Sequence, residues 1–200
     1  MEPAWPEETR LAASDLAYRR GDRVLFRSLS LTLDSGQAVQ LTGANGTGKS
    51  SLIRILAGLL RPLAGTVERA GRVALLDDRP ALDGDLPLAR ALEFWTRLDA
   101  PSQGRHPPVG YLGLDGLLDV PVRYLSTGQR KRAALARVAA QGAPLWMLDE
   151  PLNGLDRDAV ALCEALVAEH CAAGGIAVIA SHQPFALPGL AMLAVPDFAP

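Results

Sequence analysis

The sequence predicts an α/β fold in which a mixed or parallel core sheet is preceded by antiparallel strands and interrupted by an inserted group of helices. Three observations support this prediction. Apolar and polar residues alternate near the amino end, two continuous apolar runs lie nearer the carboxyl end, and a glycine-rich loop joins a strand to a helix. We expect one domain over residues 1–200, because the chain contains no internal repeat, heptad pattern or charge block.

The strands are predicted from these patterns in chain order. Alternating residues from 24 to 33, bounded by turn residues at 21–22 and 34–36, indicate antiparallel strands. A strand over 37–41 then runs directly into the glycine-rich loop. Further strands are expected at 72–76, 145–148 and 176–180, of which the last two are continuous apolar runs typical of parallel strands covered on both faces.

The helices are predicted from apolar residues at helical spacing and from helix-ending residues. They are expected at 49–60, 87–99, about 110–119, 130–140 and from 156 or 157 to 173. Prolines at 101, 107, 108 and 121 keep the second and third of these helices short and separate, so residues of about 81–140 are read as an inserted helical subdomain. Ser126 and Gln129 have the spacing of a capping box before the fourth helix.

Composition and charge exclude several classes of protein. Hydrophobic residues make up 48% of the 200 residues, enough to bury one substantial core. The 20 Lys and Arg residues nearly balance the 22 Asp and Glu residues, so no nucleic-acid partner is expected. No apolar run approaches the roughly 18 residues that cross a bilayer, and we expect the chain to stay in the cytoplasm. Cys163 and Cys171 lack CxxC spacing and are expected to be reduced thiols.

The segment GANGTGKSS matches the phosphate-binding loop pattern and lies between a predicted strand and a predicted helix, as that pattern requires. Its glycines let backbone N–H groups converge on phosphate oxygens, its lysine places a cation near the terminal phosphates, and its first serine can ligate Mg²⁺. A simple glycine turn before a helix is the alternative interpretation. The candidate nucleotide-binding residues here are Gly43, Ala44, Asn45, Gly46, Thr47, Gly48, Lys49, Ser50 and Ser51.

Two carboxylates, Asp149 and Glu150, directly follow the apolar strand at 145–148. The carboxyl ends of such strands are where open α/β sheets bind ligands. We expect Asp149 to hold Mg²⁺ together with Ser50, and Glu150 to be the general base that polarises the attacking water. Without the phosphate loop, an Asp-Glu pair in this position would more often be a solvated strand end.

The stretch LSTGQ resembles the LSGGQ signature of ABC-type ATPases, with Thr127 in place of the first glycine. Ser126 lies 77 residues after Lys49 and 23 before Asp149, and this order and spacing also fit that family. A serine hydroxyl, a glycine backbone and a helix amino end form an anion site that the chain's own phosphate loop does not need. The resemblance implies that Ser126, Thr127, Gly128 and Gln129 close over ATP bound by a second subunit.

The same resemblance assigns three further residues. Tyr18 lies where the family places an aromatic ring that stacks on adenine, although a strand tyrosine alone would more often be half-buried packing. Asp156 matches the family's D-loop, although it can equally be a helix cap. His182 resembles the switch histidine that contacts the γ-phosphate, whereas His106 and His170 are expected at the surface.

Within that superfamily the chain most resembles the CcmA family, which comprises the ATP-binding subunits of the haem exporter of cytochrome c maturation. It rests on PLWMLDEP, GQRKRAALARV and GGIAVIASHQP. Leu152 and the pair Ser50-Ser51 depart from the usual family residues. Arg79 stands where a glutamine is usual, and a guanidinium cannot ligate a metal. A register slip, with Asp77 or Asp78 in the glutamine's role, is the alternative.

The resemblance implies an enzyme that hydrolyses ATP with Mg²⁺. Two copies of the nucleotide domain are expected to act together as a homodimer. They would act on integral membrane subunits at the cytoplasmic face of the inner membrane. The ATPase of another small exporter, for drugs or lipids, is the first alternative. A soluble ABC-type ATPase is the second. A GTPase is disfavoured because the chain has no NKxD or TKxD motif.

Overall fold

The computed structural model describes residues 9–79, 81–99 and 108–199. The strands are β1 (Arg10–Arg20), β2 (Arg23–Asp34), β3 (Ala38–Thr42), β4 (Ala64–Ala70), β5 (Val73–Leu76), β6 (Leu145–Asp149), β7 (Ile176–Ala180) and β8 (Ala191–Ala194). The helices are α1 (Lys49–Leu56), α2 (Leu88–Asp99), α3 (Thr127–Ala140) and α4 (Arg157–Ala172). Short 3-10 turns occur at Asp115–Leu117, Val122–Tyr124 and Val195–Phe198.

The strands form two sheets, which confirms the predicted α/β class. Three antiparallel strands have the order β2-β1-β4, and five parallel strands have the order β5-β6-β7-β3-β8. Leu41 pairs with Ala180, which pairs in turn with Asp149, so β3, β7 and β6 end at the same level. The three segments that follow these strands therefore emerge at one edge of the parallel sheet.

The parallel sheet is covered on both faces, as its continuous apolar runs predict. Strand β7 illustrates this, because Ala177 and Ile179 pack in the layer that includes α3 and α4, whereas Val178 and Ala180 pack in the layer that includes α1 and the antiparallel sheet. Every residue of β6 and β7 is buried. Alternate side chains thus enter two separate apolar layers.

Several element boundaries differ from the predictions. Helix α1 ends at Leu56 and not at residue 60, because Gly58 adopts a left-handed φ of 81° and Arg69 donates to the carbonyl oxygens at the helix end. The predicted helix at 110–119 consists of turns and one 3-10 turn, and Gly113 there has a φ of 62°. Helix α3 starts three residues earlier than predicted, because Ser126 is its N-cap in a complete capping box.

The strands β4 and β8 were not predicted. Most residues of β4 are exposed and none of the four residues of β8 is buried, so neither resembles the buried apolar strands at the centre of the parallel sheet. Both lie at sheet edges, where one side of a strand faces away from the other strands. Within the described ranges, no helix combines the length and the apolar character needed to cross a membrane.

His170 is buried, so the prediction that it lies at the surface is wrong. Its ring stacks on Trp146 with centroids 3.9 Å apart, and its Nε2 lies 3.1 Å from the carbonyl oxygen of Pro144. The ring thereby packs the end of α4 onto β6. His106 lies outside the described residues.

The two cysteines are buried free thiols. Burial raises the pKa of Cys163 to about 12 and that of Cys171 to about 11. Both residues are on α4 and pack in the apolar layer beneath it. At neutral pH they are protonated core side chains.

Candidate functional site

The glycine-rich loop connects the end of β3 to the first turn of α1. Gly43, Gly46 and Gly48 have φ values of 136°, 81° and 110°, a region that side chains other than glycine rarely adopt. A Cβ atom on Gly43 would lie 2.8 Å from Cδ of Pro196, and one on Gly48 would lie 3.2 Å from the Phe26 ring. The loop is therefore fixed by its own glycines and by close packing behind it.

Within the loop, Thr47 closes a turn by donating through both its backbone N–H and its hydroxyl to the carbonyl oxygen of Ala44. Ala44, Asn45 and Gly46 are exposed at the tip, and Ser51 is half-buried in the first turn of α1. The first N–H groups of a helix have no partner within it. The amino end of α1 can therefore bind an anion.

Lys49 crosses the loop from the first position of α1. Its Nζ donates to the carbonyl oxygens of Gly43 at 2.7 Å and Ala44 at 3.2 Å, and the residue is only 6% exposed. A buried ammonium group needs acceptors of this kind. Phosphate oxygens would be stronger acceptors than carbonyl oxygens, since they carry charge.

Ser50 and Asp149 join the loop to the end of β6. The hydroxyl of Ser50 donates to Oδ1 of Asp149 at 3.0 Å, and Asp149 is 2% exposed. Burial raises the pKa of the Asp149 carboxyl, the nearby charges of Asp78 and Glu150 raise it further, and the hydrogen bond from Ser50 lowers it. A hydroxyl and a carboxylate are hard oxygen donors, and Mg²⁺ commonly binds one or two such groups together with phosphate and water. The pair suits that ion.

Glu150 adopts a left-handed backbone conformation, with a φ of 48°. Its N–H donates to the carbonyl oxygen of Ala180 at 2.8 Å, which holds the residue at the level of the β7 end. Its Oε2 lies 2.8 Å from Nδ1 of His182. Strained conformations of this kind at residues other than glycine concentrate at functional sites.

The structure thus brings Ser50, Asp149, Glu150 and His182 together at the edge predicted from the parallel strands.

The signature residues, Ser126 to Gln129 of the LSTGQ stretch, lie at the start of α3 and outside this group. Ser126 accepts a hydrogen bond from the Gln129 N–H, while the Gln129 side chain accepts one from the Ser126 N–H. Both side chains are therefore engaged in capping α3.

Thr127 and Gly128 pack against the loop that follows Glu150. A Cβ atom on Gly128 would lie 2.7 Å from the carbonyl oxygen of Gly154, and one on Gly154 would lie 3.1 Å from Cγ2 of Thr127. Asp156 caps α4 by accepting a hydrogen bond from the Ala159 N–H at 2.8 Å. An open cleft of about 500 Å³ separates the two capped helix ends, and its lining includes all four signature residues and Asp156.

Tyr18 lies on β1 opposite Phe26, with ring centroids 6.1 Å apart. It is half-buried against the apolar layer that contains Phe26. Since the Phe26 ring backs Gly48, Tyr18 lies one ring away from the phosphate loop. The structure thus shows the packing role, and base stacking by Tyr18 stays a prediction.

The segment after β5 contains Asp77, Asp78 and Arg79. Oδ1 of Asp77 accepts a hydrogen bond from the Arg79 N–H at 2.9 Å, and its Oδ2 lies 3.6 Å from Nη2 of Arg54 on α1. The Arg79 residue is exposed. The charge of Asp78 reaches Asp149 and raises its pKa. Asp78 is thus the residue of this segment whose charge affects the protonation of the Asp149 carboxyl.

Gln40, a buried polar residue near the site, was not predicted from the sequence to have a role there. Gln40 on β3 is 2% exposed and donates to the turn that carries His182. A signal existed, because a glutamine interrupts the apolar residues of a predicted buried strand. Its hydrogen-bond partners are more than 140 residues away in the chain and could not be identified from it.

Comparison with known proteins shows one consistent similarity. The family described as ABC transporter matches residues 26–153. The cytochrome c biogenesis ATP-binding export protein CcmA of Novosphingobium aromaticivorans is 63% identical over 97% of this chain and 100% of its own length. The protein of the same name from Sphingopyxis alaskensis is 52% identical over 90% of this chain and 93% of its own.

Solved structures agree with this similarity. An ATP-binding subunit of an ABC transporter superimposes with a TM-score of 0.79 at 25% identity, over 87% of this chain and 80% of its own. An ATP-binding protein from Pyrococcus furiosus, described as a putative ABC transporter, gives a TM-score of 0.82 at 20% identity, over 96% and 100% of the two chains. At that identity, the second comparison establishes the fold alone.

Proposed function

Because the chain belongs to the CcmA family of ABC-transporter ATP-binding subunits, we propose that it powers the haem exporter of cytochrome c biogenesis by hydrolysing ATP with Mg²⁺. The observation that carries this proposal is the convergence of Ser50, Asp149, Glu150 and His182 beside the phosphate loop. The 63% identity to a cytochrome c biogenesis export protein supports the choice of exporter.

We assign nucleotide binding to the loop and its neighbours. The N–H groups of the loop and of the first turn of α1 bind phosphate oxygens, and Lys49 exchanges its two carbonyl partners for charged phosphate oxygens. Tyr18 stacks on the base. Ser50 and Asp149 hold Mg²⁺, which neutralises charge on the phosphates when it is bound.

Glu150 is proposed as the general base that orients the attacking water. The hydrogen bond between Oε2 and His182 Nδ1 fixes the carboxylate and leaves Oε1 for the water. Burial and the left-handed backbone restrict the carboxylate further, since its side chain is 16% exposed. Phosphoryl transfer depends mainly on such positioning and on charge stabilisation, so a small rigid group of side chains is sufficient.

The signature cleft is proposed to receive the ATP of a second copy of the chain. Its two capped helix ends contribute positive dipole ends that favour an anion, and Ser126, Thr127, Gly128, Gln129 and Asp156 line it. In a homodimer each nucleotide would then contact the phosphate loop of one copy and the signature cleft of the other. Binding would close the dimer, and hydrolysis would reopen it.

Residues of about 81–140 are proposed as the helical subdomain that docks on integral membrane subunits at the cytoplasmic face of the inner membrane. Helix α2 exposes Phe94 at 58% and Leu98 at 63%, which suits an apolar contact. The ATPase of a drug or lipid exporter remains the competing assignment. The relatives that share up to 63% identity favour cytochrome c biogenesis over it.

Affinity purification from membranes of the native organism tests this assignment. The chain should retain integral membrane proteins of cytochrome c biogenesis, and a strain that lacks the chain should fail to attach haem to its c-type cytochromes. A Lys49→Ala chain serves as the matched control, since it should still bind the membrane proteins but not restore haem attachment. Retention of a different transporter with normal cytochromes would contradict the assignment.

A further inference from the structure

Gln40 connects the middle of the parallel sheet to the turn that carries His182. The residue lies on β3 between Val39 and Leu41, which face the layer of α1, so its side chain enters the opposite layer. Its Nε2 donates to the carbonyl oxygen of Gln183 at 2.7 Å and to that of Ser181 at 3.4 Å. These two acceptors lie on either side of His182.

The turn itself is held by a second set of hydrogen bonds. The Ser181 hydroxyl donates to the Gln183 carbonyl oxygen at 3.0 Å and accepts from the Gln183 N–H at 3.0 Å. Ser181 is 1% exposed, whereas the His182 side chain between these residues is 51% exposed. The imidazole is therefore positioned mainly by the backbone of this turn.

An amide in an apolar layer is costly unless it is hydrogen-bonded, and an apolar side chain of the same size would fill the space equally well. The pairing of β3 with β7 explains why a hydrogen-bond donor is useful at this position. Gln40 pairs with Ile179 on β7, so its side chain lies beside the strand end from which the turn departs. The glutamine thus supplies a donor where the turn needs one.

The far side of the turn contacts the loop that follows Glu150. Nε2 of the Gln183 side chain lies 3.4 Å from Oδ1 of Asn153, three residues after Glu150. The turn is consequently held between β3 on one side and the segment after β6 on the other. A shift of this turn would change the distance between His182 Nδ1 and Glu150 Oε2, which is 2.8 Å.

We propose that Gln40 is a positioning residue for hydrolysis, which acts through the 181–183 turn to hold the His182 imidazole against Glu150. The proposal rests on the roles proposed above for Glu150 and His182. Gln40 faces away from the α1 layer, so it acts on turnover and not on nucleotide affinity.

Gln40→Met tests this assignment because it keeps the side-chain length and removes the donor. In the transporter purified with its membrane subunits, we expect kcat at saturating Mg-ATP to fall at least tenfold, while the dissociation constant of a fluorescent ATP analogue changes less than twofold. Val167→Ala, a fully buried change on α4 in the same apolar layer, is the control and should keep its kcat. On a His182→Ala background, Gln40→Met should lower kcat less than twofold further.

A wild-type kcat for Gln40→Met would overturn the proposal, and so would a tenfold loss that persists on the His182→Ala background. If Gln40→Met does not fold, Ser181→Ala removes the other donor to the turn and should lower kcat with ATP affinity retained; an unchanged kcat for a folded Ser181→Ala would overturn the proposal equally. A Glu150→Gln variant distinguishes failure of the role proposed for Glu150 from failure of the role proposed for Gln40. If it hydrolyses ATP normally, the proposed role of Glu150 has failed, whereas an inactive Glu150→Gln beside a fully active Gln40→Met contradicts the role of Gln40 alone.

Discussion

The Ser50 hydroxyl donates a 3.0 Å hydrogen bond to Oδ1 of Asp149, which joins the first turn of α1 to the buried end of β6. The two residues are 99 positions apart in the chain. Both are oxygen ligands suited to Mg²⁺, and each already fixes the other's orientation. The metal site proposed for this pair would therefore be preorganised by a contact within the chain.

Ser50→Ala should weaken Mg²⁺ binding in the presence of ATP by roughly tenfold, which corresponds to about 1.4 kcal/mol. The change removes one ligand and the hydrogen bond that orients the other. Titration of Mn²⁺ followed by electron paramagnetic resonance measures this affinity directly. Ser35→Ala, at an exposed turn before β3, is the control and should bind Mn²⁺ like the wild type. An unchanged affinity in Ser50→Ala would show that Ser50 is not a ligand.

Gly128→Ala should destabilise the chain by about 1–3 kcal/mol, because its Cβ would lie 2.7 Å from the Gly154 carbonyl oxygen. For a chain of this size, that loss lowers the melting temperature by several degrees, about 2–4 °C for each kcal/mol. Gly116→Ala is the matched control, since a Cβ there meets no atom within 4 Å. Equal melting temperatures for the two variants would show that the loop around Gly154 shifts to accommodate the new Cβ atom without a measurable loss of stability.

Arg79→Gln should leave the basal ATPase rate within about twofold of wild type, a change worth only roughly 0.4 kcal/mol of barrier. The structure engages the Arg79 backbone N–H and leaves the residue exposed. Any effect should appear in stimulation of the rate by the membrane subunits. Steady-state ATPase assays with and without those subunits measure both quantities. A basal rate lowered tenfold would place the guanidinium in the hydrolytic site.

Stability should fall as the pH rises from 8 to 10, because the two cysteine thiols stay protonated in the folded chain and ionise in the unfolded one. Their folded pKa values of about 12 and about 11 exceed the ordinary thiol value. A raised acid pKa contributes stability that is present below the unfolded pKa and is lost above it. Each thiol should account for roughly 2 kcal/mol of the loss by pH 10.

Urea unfolding at several pH values measures this dependence. Cys163→Ala should remove about half of the cysteine contribution, whatever its effect on stability at pH 7. If the free energy of unfolding falls with pH at the same slope in Cys163→Ala and in wild type between pH 8 and 10, Cys163 ionises equally well in the folded and the unfolded chain.

The parts of the site that were predictable from sequence are those fixed by local pattern. The apolar run before Asp149 required a strand buried on both faces, and the glycines before Lys49 required a loop between strand and helix. Since the carboxyl ends of parallel strands share an edge, the meeting of Asp149 with Ser50 followed from those two patterns.

Features that depend on distant contacts could not be predicted. The apolar residues Leu59 and Leu60 fit the helical spacing, yet α1 ends before them because Arg69, which belongs to β4, holds its last carbonyls. His170 has an ordinary helical context, and its burial depends on Trp146 from another element. Gln40 likewise acquires its partners through the pairing of β3 with β7.

The turnover of Glu150→Gln at saturating Mg-ATP tests the proposed hydrolytic role of this site most directly. The substitution keeps the shape of the side chain and a polar group beside His182, and it removes the basic carboxylate that is proposed to orient the attacking water. We predict that ATP binding is retained and that hydrolysis falls at least a hundredfold, which corresponds to about 2.7 kcal/mol of barrier. A turnover within about threefold of wild type would contradict the role of Glu150 as general base, because a change worth only roughly 0.7 kcal/mol is too small for the loss of such a base.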